Sequence, residues 1–140
     1  MDLSAAVEFA RSHRQAVLTT IRASGRPQQS NVLYSVGSDG VIRVSITADR
    51  AKYANLLRDP WAALHVSTDD FWSYAVIEAA TSLSPVAAAP DDATVEELVA
   101  LYRSLSGEHS DWEDYRAAMV RDRRVVARLT PTRAYGLLSG

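Results

Sequence analysis

The sequence predicts a mainly β protein, with about six antiparallel strands closed or split into a small barrel and helices at its periphery. Three observations predict it. Apolar residues recur at helical and strand spacings in the order α, βββ, α, ββ, αα, β. The links between neighbouring strands are short and turn-like, which imposes antiparallel pairing. A chain of 140 residues forms one domain, residues 1–140, and buries about two-thirds of its unfolded surface without staples. Such a barrel is filled by its own side chains, so a sizeable ligand belongs on the rim or between subunits.

Each element has its own signal. Leu3, Ala6, Val7 and Ala10 lie at helical spacing, so residues 2–13 read as a short amphipathic helix. "QAVLTTIR" (15–22) is β-branched and alternating, "ASGRP" is a turn, and "QQSNVLYSV" (28–36) is a second strand. "GSDG" (37–40) turns the chain into "VIRVSI" (41–46), a third. The period then changes: Asp49 is the expected N-cap of a helix over 50–58, with Pro60 beyond its end. "WAALHVST" (61–68) and "WSYAVIEAATSLSPV" (72–86) are two further strands. Thr94-Val95-Glu96-Glu97 reads as a capping box opening a helix to about Ser106, and Ser110-Asp111-Trp112-Glu113 repeats the signal for a helix to about Asp122. "RVVARLTPTRAYGLL" (124–138) is the last strand, bent or interrupted at Pro131.

Composition narrows the function. The hydrophobic fraction is 47%, the net charge is −2 and there is no cysteine, so no disulfide framework, thiolate nucleophile or cysteine zinc site is expected. No apolar run approaches the ~20 residues of a membrane span, and the N-terminus is no signal peptide, so a cytoplasmic location is expected. The basic residues are scattered among acids, which argues against a nucleic-acid partner. The densest cluster, "RDRR" (121–124), reads as a solvated helix end favoured by the helix dipole. His13, His65 and His109 lie far apart, no Ser-His-Asp pattern is present, and neither a P-loop nor a dinucleotide fingerprint occurs. Asp69-Asp70 and Asp91-Asp92 look like turn or cap residues. Binding remains, or chemistry carried by a bound cofactor.

Three stretches carry polar groups beyond what local structure requires. In "GRPQQSNV" (25–32), Gln28 and Ser30 share one strand face and Asn31 lies on the other; a polar edge strand would read the same way. In "SITADRAKYANL" (45–56), Arg50 and Lys52 fall in the first turn of a helix, where cations are disfavoured by roughly 0.3–1 kcal/mol unless an anion arrives. Lys52 is the one lysine among fifteen basic residues. A helix start with two added cations is a phosphate site in waiting, and Asn55, three residues on, faces the same side. A solvated helix start is the alternative. In "FWSYAV" (71–76), Trp72 and Tyr74 alternate and project from one sheet face, as core, interface or stacking surface.

Taken together these stretches resemble a known family. The succession "GRPQQSNV", "VSITADRAKYANLLRDP", "DFWSYAVIEA", "AAAPDDATVEELVALYR", "GEHSDWEDYRAAMVRDRR" and "YGL" is similar to the pyridoxamine 5′-phosphate oxidase-like split-barrel superfamily. Within it, the match is to the actinobacterial flavin/deazaflavin oxidoreductases classed as F-420-dependent enzymes, and it covers almost the whole chain. The resemblance implies a six-stranded split β-barrel of the FMN-binding type, forming a homodimer with two cofactor clefts at the interface. It implies that Arg50 and Lys52 hold the cofactor phosphate. The ring system would lie against Pro27, Gln28, Ser30 and Asn31 and against the backbone at Ser45 and Ile46. Asn55 belongs to the same motif, and Trp72 and Tyr74 would be supplied by the other subunit.

A pyridoxamine phosphate oxidase proper is longer, and its C-terminal substrate motif is not found after Tyr135-Gly136-Leu137, so vitamin B6 oxidation is not the expected reaction. The "GEHSDW" insert is shared with the deazaflavin subgroup and favours F-420 over FMN. The implied activity is transfer of hydride from C5 of reduced F-420 to a small conjugated substrate, with no protein acid, base or metal required. The alternatives are an FMN-dependent oxidoreductase of the same fold, or a non-catalytic binder of F-420 or a tetrapyrrole with His65 as axial ligand.

Overall fold

The structure, a computed structural model, describes residues 1–139. Four helices, α1 (Leu3–Arg11), α2 (Ala51–Arg58), α3 (Ala93–Ser106) and α4 (Trp112–Arg121), accompany seven strands. The strands are β1 (Gln15–Ile21), β2 (Pro27–Leu33), β3 (Ser35–Val36), β4 (Ile42–Thr47), β5 (Trp61–Ser67), β6 (Tyr74–Leu83) and β7 (Arg124–Leu137). All pair antiparallel in one curled sheet of order β2-β1-β5-β6-β7-β4-β3.

Seven strands appear where six are expected, because the predicted second strand divides at Tyr34. Before that residue the chain pairs with β1, from Ile21↔Pro27 to Gln15↔Leu33; after it, Ser35 and Val36 pair with Arg43 and Ile42 of β4. The two ends of the sheet are therefore joined through one residue. Tyr34 is fully buried, and its hydroxyl donates to the Ala10 carbonyl of α1 at 2.7 Å. The barrel is closed where β3 meets β4. It is split beyond Arg43, where Val44–Thr47 have a sheet partner only on the β7 side.

Alternation places Leu18, Leu64 and Ile77 in one cross-strand row inside the barrel, and Val44, Ile46 and Leu129 complete a dry core. A smaller cluster lies on the opposite face, where Val126 packs under Val95, Leu98 and Val99 of α3 and Met119 of α4. The last strand runs unbroken through Pro131. A bulge passes from Glu78↔Arg133 to Ala79↔Pro131 and leaves Thr132 unpaired in the ladder, and a strand accepts a proline, which has no N–H, beside such a bulge.

Three caps move by one or two residues from their expected places. Arg50, not Asp49, is the N-cap of α2, and no side chain caps it. Asp92 caps α3 in place of Thr94: one carboxylate oxygen accepts from the Val95 N–H and the other from Ala88 and Ala89. Thr94 is buried and donates instead to the Pro85 carbonyl. Asp111, not Ser110, caps α4 by accepting from the Asp114 N–H. A carboxylate offers two acceptors to the orphan N–H groups, and in α3 and α4 it takes the place of a hydroxyl one or two residues away.

Candidate cofactor site

The sequence turns sharply between β4 and α2. Arg50 donates its N–H to the Thr47 carbonyl, its own backbone is extended, and the helix begins at Ala51 with no acidic residue in the first turn. The first N–H groups of α2 are thus left without a side-chain acceptor, beside Arg50 and Lys52. The Lys52 ammonium is pushed below its ordinary range, first by partial burial and then by the charges of Arg50 and Arg124. A cleft of about 380 Å³ opens here, lined by Thr47, Asp49, Arg50 and the run Arg121–Arg124.

Asn55 sits one turn deeper and is 6% exposed. Its amide donates to Thr20 Oγ1 at 3.1 Å and to Gln28 Oε1 at 2.9 Å, and its carbonyl accepts from Arg58 at 3.0 Å. Arg58 in turn donates to the Ile21 carbonyl at 2.7 Å. This network fastens α2 across the ends of β1 and β2, and commits both ends of the Asn55 side chain to protein partners. Gln28 and Ser30 point to the barrel side of β2, opposite Thr20 and Leu18, while Pro27 and Asn31 are exposed. Ile46 is a core residue at 1% exposure, so what it offers a ligand is its backbone on the split edge of β4. Ser45 lies on the other face and accepts from Arg124 at 3.4 Å.

Trp72 and Tyr74 stand apart from this group. Trp72 precedes β6 in a turn, after Phe71 at φ 71°, and is 75% exposed; Tyr74 opens the strand and stacks edge-on against His65 at 5.4 Å. Gly136 fixes the spot, since at its φ of 148° a side chain is strained and a Cβ would collide with the Tyr74 carbonyl. Tyr74 pairs with Leu137 at one end of β7, whereas Thr47, beside the cationic cleft, pairs with Arg124 at the other. Those ends are on the order of 40 Å apart along a 14-residue strand.

A phosphate-bearing group suits the cleft. None of Arg50, Lys52, Arg123 and Arg124 joins an ion pair among the described residues. Arg124 Nε is buried without a hydrogen-bond partner, and the buried Thr47 Oγ1 makes none of good geometry although the Asp49 carboxylate is beside it; a buried donor without an acceptor is costly unless something external completes it. Arg124 escaped the sequence reading because "RDRR" looked like a solvated helix end. That holds for Arg121, the last residue of α4. Arg123 then takes φ 53°, its carbonyl accepts from Ala48, and the reversal sets Arg124 opposite Thr47. Among the described residues no group of three His, Asp or Glu gathers as a metal site, and no helix is long and apolar enough to cross a membrane.

A family model described as pyridoxamine 5′-phosphate oxidase matches residues 3–138, and the chain belongs to that family. Its fold recurs in an F420 reductase, at 22% identity over 91% of this chain and 94% of that one, with a TM-score of 0.70. It recurs in HutZ, the haem storage protein of Vibrio cholerae (18% identity, 96% and 94% covered, TM-score 0.69). A third case is a pyridoxamine 5′-phosphate oxidase-related, FMN-binding protein of Nostoc punctiforme (16% identity, 96% and 80% covered, TM-score 0.61). At these identities the likeness is one of fold: a mainly β split barrel of the pyridoxamine phosphate oxidase type.

Proposed function

We propose that the protein is an F-420-dependent oxidoreductase acting as a reductase, a cytoplasmic homodimer that reduces a small conjugated substrate. The observation that carries this reading is the cleft at the start of α2, where Arg50 and Arg124 gather with Lys52 close by around the buried Thr47 hydroxyl and the buried, unpartnered Arg124 Nε. None of the three cations is in an ion pair among the described residues, although Asp49 and Asp122 also line the cleft. When bound, F-420 supplies a hydride at C5. Arg50, Lys52 and the uncapped α2 N–H groups hold the phosphate, which fixes one end of the cofactor. The face of β2 with Gln28 and Ser30, the exposed Pro27 and Asn31, and the free edge of β4 at Ser45 and Ile46 line the path away from it. Asn55 serves the site by holding α2 against β2. Trp72 and Tyr74 belong to the far end of β7 and wall the site of a second subunit.

Fluorescence titration of F-420 against the wild type and Lys52→Ala tests the assignment. The expected loss is about 1.5–3 kcal/mol, the scale of a charge-assisted hydrogen bond. Unchanged affinity in the variant overturns it. FMN is the alternative cofactor, and titrating it in parallel against F-420 ranks the two. A non-catalytic role is the second reading, favoured by an exposed His65 in a cleft of about 490 Å³ with Asn31 and Phe71. It predicts tight haem binding with a Soret band lost in His65→Ala.

A further inference from the structure

We infer that Arg124, seconded by Thr47, is a further ligand of the anion held at the start of α2, although it lies 72 residues beyond Lys52 in the chain. This rests on reading that cleft as a phosphate site. Thr47 and Arg124 are direct cross-strand partners, so their side chains leave the same face of the β4–β7 ladder. Ser45, two residues earlier, shares that face and takes one guanidinium N–H of Arg124 at 3.4 Å, a long bond. The remaining donors of Arg124 have no protein acceptor among the described residues, and its Nε is buried. Thr47 Oγ1 is likewise buried without a hydrogen bond of good geometry, the Asp49 carboxylate lying beside it. Arg124 also stands close enough to Lys52 to depress the ammonium further.

Arg50 and Arg124 press on the Lys52 ammonium while the cleft's two carboxylates, Asp49 and Asp122, pair with none of the three, and a buried guanidinium edge without an acceptor is costly. One ligand chemistry removes both costs. It is an oxyanion of several acceptor oxygens, a phosphate ester, which takes the planar fork of Arg124, the point charge of Lys52 and the Thr47 hydroxyl at once. The reversal at Arg123, in a conformation unusual for a side-chain-bearing residue, is the device that delivers Arg124 there.

The test compares F-420 and 8-hydroxy-5-deazariboflavin 5′-phosphate, which keeps the phosphate without the lactyl-glutamate tail, with 8-hydroxy-5-deazariboflavin, which lacks both, on wild type, Arg124→Met, Arg124→Lys and Lys52→Ala. A loss for F-420 that the 5′-phosphate does not share assigns Arg124 to the tail and overturns the inference. Arg124→Met should weaken F-420 about 10- to 100-fold, the scale of a charge-assisted contact, and leave the phosphate-free ligand within twofold. Arg124→Lys, which restores charge without the fork, should recover part of the loss and shows that a folded site is being read. If Arg124→Met binds F-420 like wild type while Lys52→Ala does not, the inference falls and the phosphate reading stands. If neither variant weakens F-420, both fall. Equal loss for F-420 and the phosphate-free ligand in Arg124→Met, or no recovery in Arg124→Lys, makes Arg124 a packing residue and overturns the inference.

Discussion

Lys52 sits where an ammonium is electrostatically uncomfortable: in the first turn of a helix, partly buried, beside two guanidiniums. Its lowered pKa has a consequence for binding. Below that pKa the ammonium is charged and holds the anion; as pH rises through it the proton leaves and the contact goes. Affinity for F-420 should therefore fall on the alkaline side by up to tenfold per pH unit, starting below the pH at which an ordinary lysine titrates. Arginine stays protonated throughout, so Lys52→Arg should flatten the alkaline loss. Titrations carried up through the ordinary lysine range decide it, and a Lys52→Arg profile that falls as steeply as wild type removes Lys52 from the site. The same residue illustrates what a sequence reveals. The helix start at "RAK" that makes it a candidate anion site is legible because helix periodicity is local. The place of Arg124 opposite Thr47 is not, because it depends on a cross-strand register and one left-handed residue, neither of which has a local signature.

At the scale of elements, α3 is clamped to the sheet by Glu97, whose carboxylate accepts from Arg43 of β4 at 3.0 Å and Arg128 of β7 at 2.9 Å. The Arg128 hydrogen bond, followed by that of Arg43, holds the Glu97 carboxyl below its usual range. A depressed carboxylate stabilises the fold above its unfolded pKa, and the contribution is lost as pH falls through the folded value. Glu97→Gln should cost about 1–2 kcal/mol at pH 7, between an exposed and a buried pair. The gap in melting temperature between wild type and variant should narrow once pH falls below the ordinary glutamate pKa of about 4.3 and close as it passes the lowered folded value. A gap that persists in acid would mean that packing of α3, not charge, is responsible. Helix and strand types were legible because each segment carries a clean period. The division at Tyr34 was not, since "QQSNVLYSV" is extended throughout and only the closing of the barrel decides which neighbour each half takes. The caps of α3 and α4 differ from expectation for a narrower reason: an Asp and a nearby Ser or Thr both satisfy the cap pattern, and loop geometry chooses between them.

At the scale of the molecule, the outer face of the sheet is difficult to leave in water. Asn31, Val17, His65, Val76 and Tyr135 form one continuous cross-strand row over β2, β1, β5, β6 and β7. Around it Leu33, Phe71, Trp72, Tyr135 and Leu137 are 44–80% exposed. An apolar, aromatic patch of this kind marks an interaction surface. The two parts of the proposed site lie at opposite ends of β7, so one chain does not bring Trp72 to Lys52; a second copy, related by a two-fold axis through this face, can do so twice at once. Light scattering after gel filtration should give twice the chain mass at micromolar concentration. Tyr135→Asp separates this from a surface that is merely greasy. Because Tyr135 is half-exposed in the single chain, the substitution should change monomer stability by no more than about 0.5 kcal/mol. In the dimer it buries an unpaired charge and should yield monomers. Those monomers should bind F-420 at least about tenfold more weakly, having lost the Trp72 and Tyr74 wall, while circular dichroism stays native. A wild type that is monomeric and binds the cofactor at full strength would place the whole site within one chain.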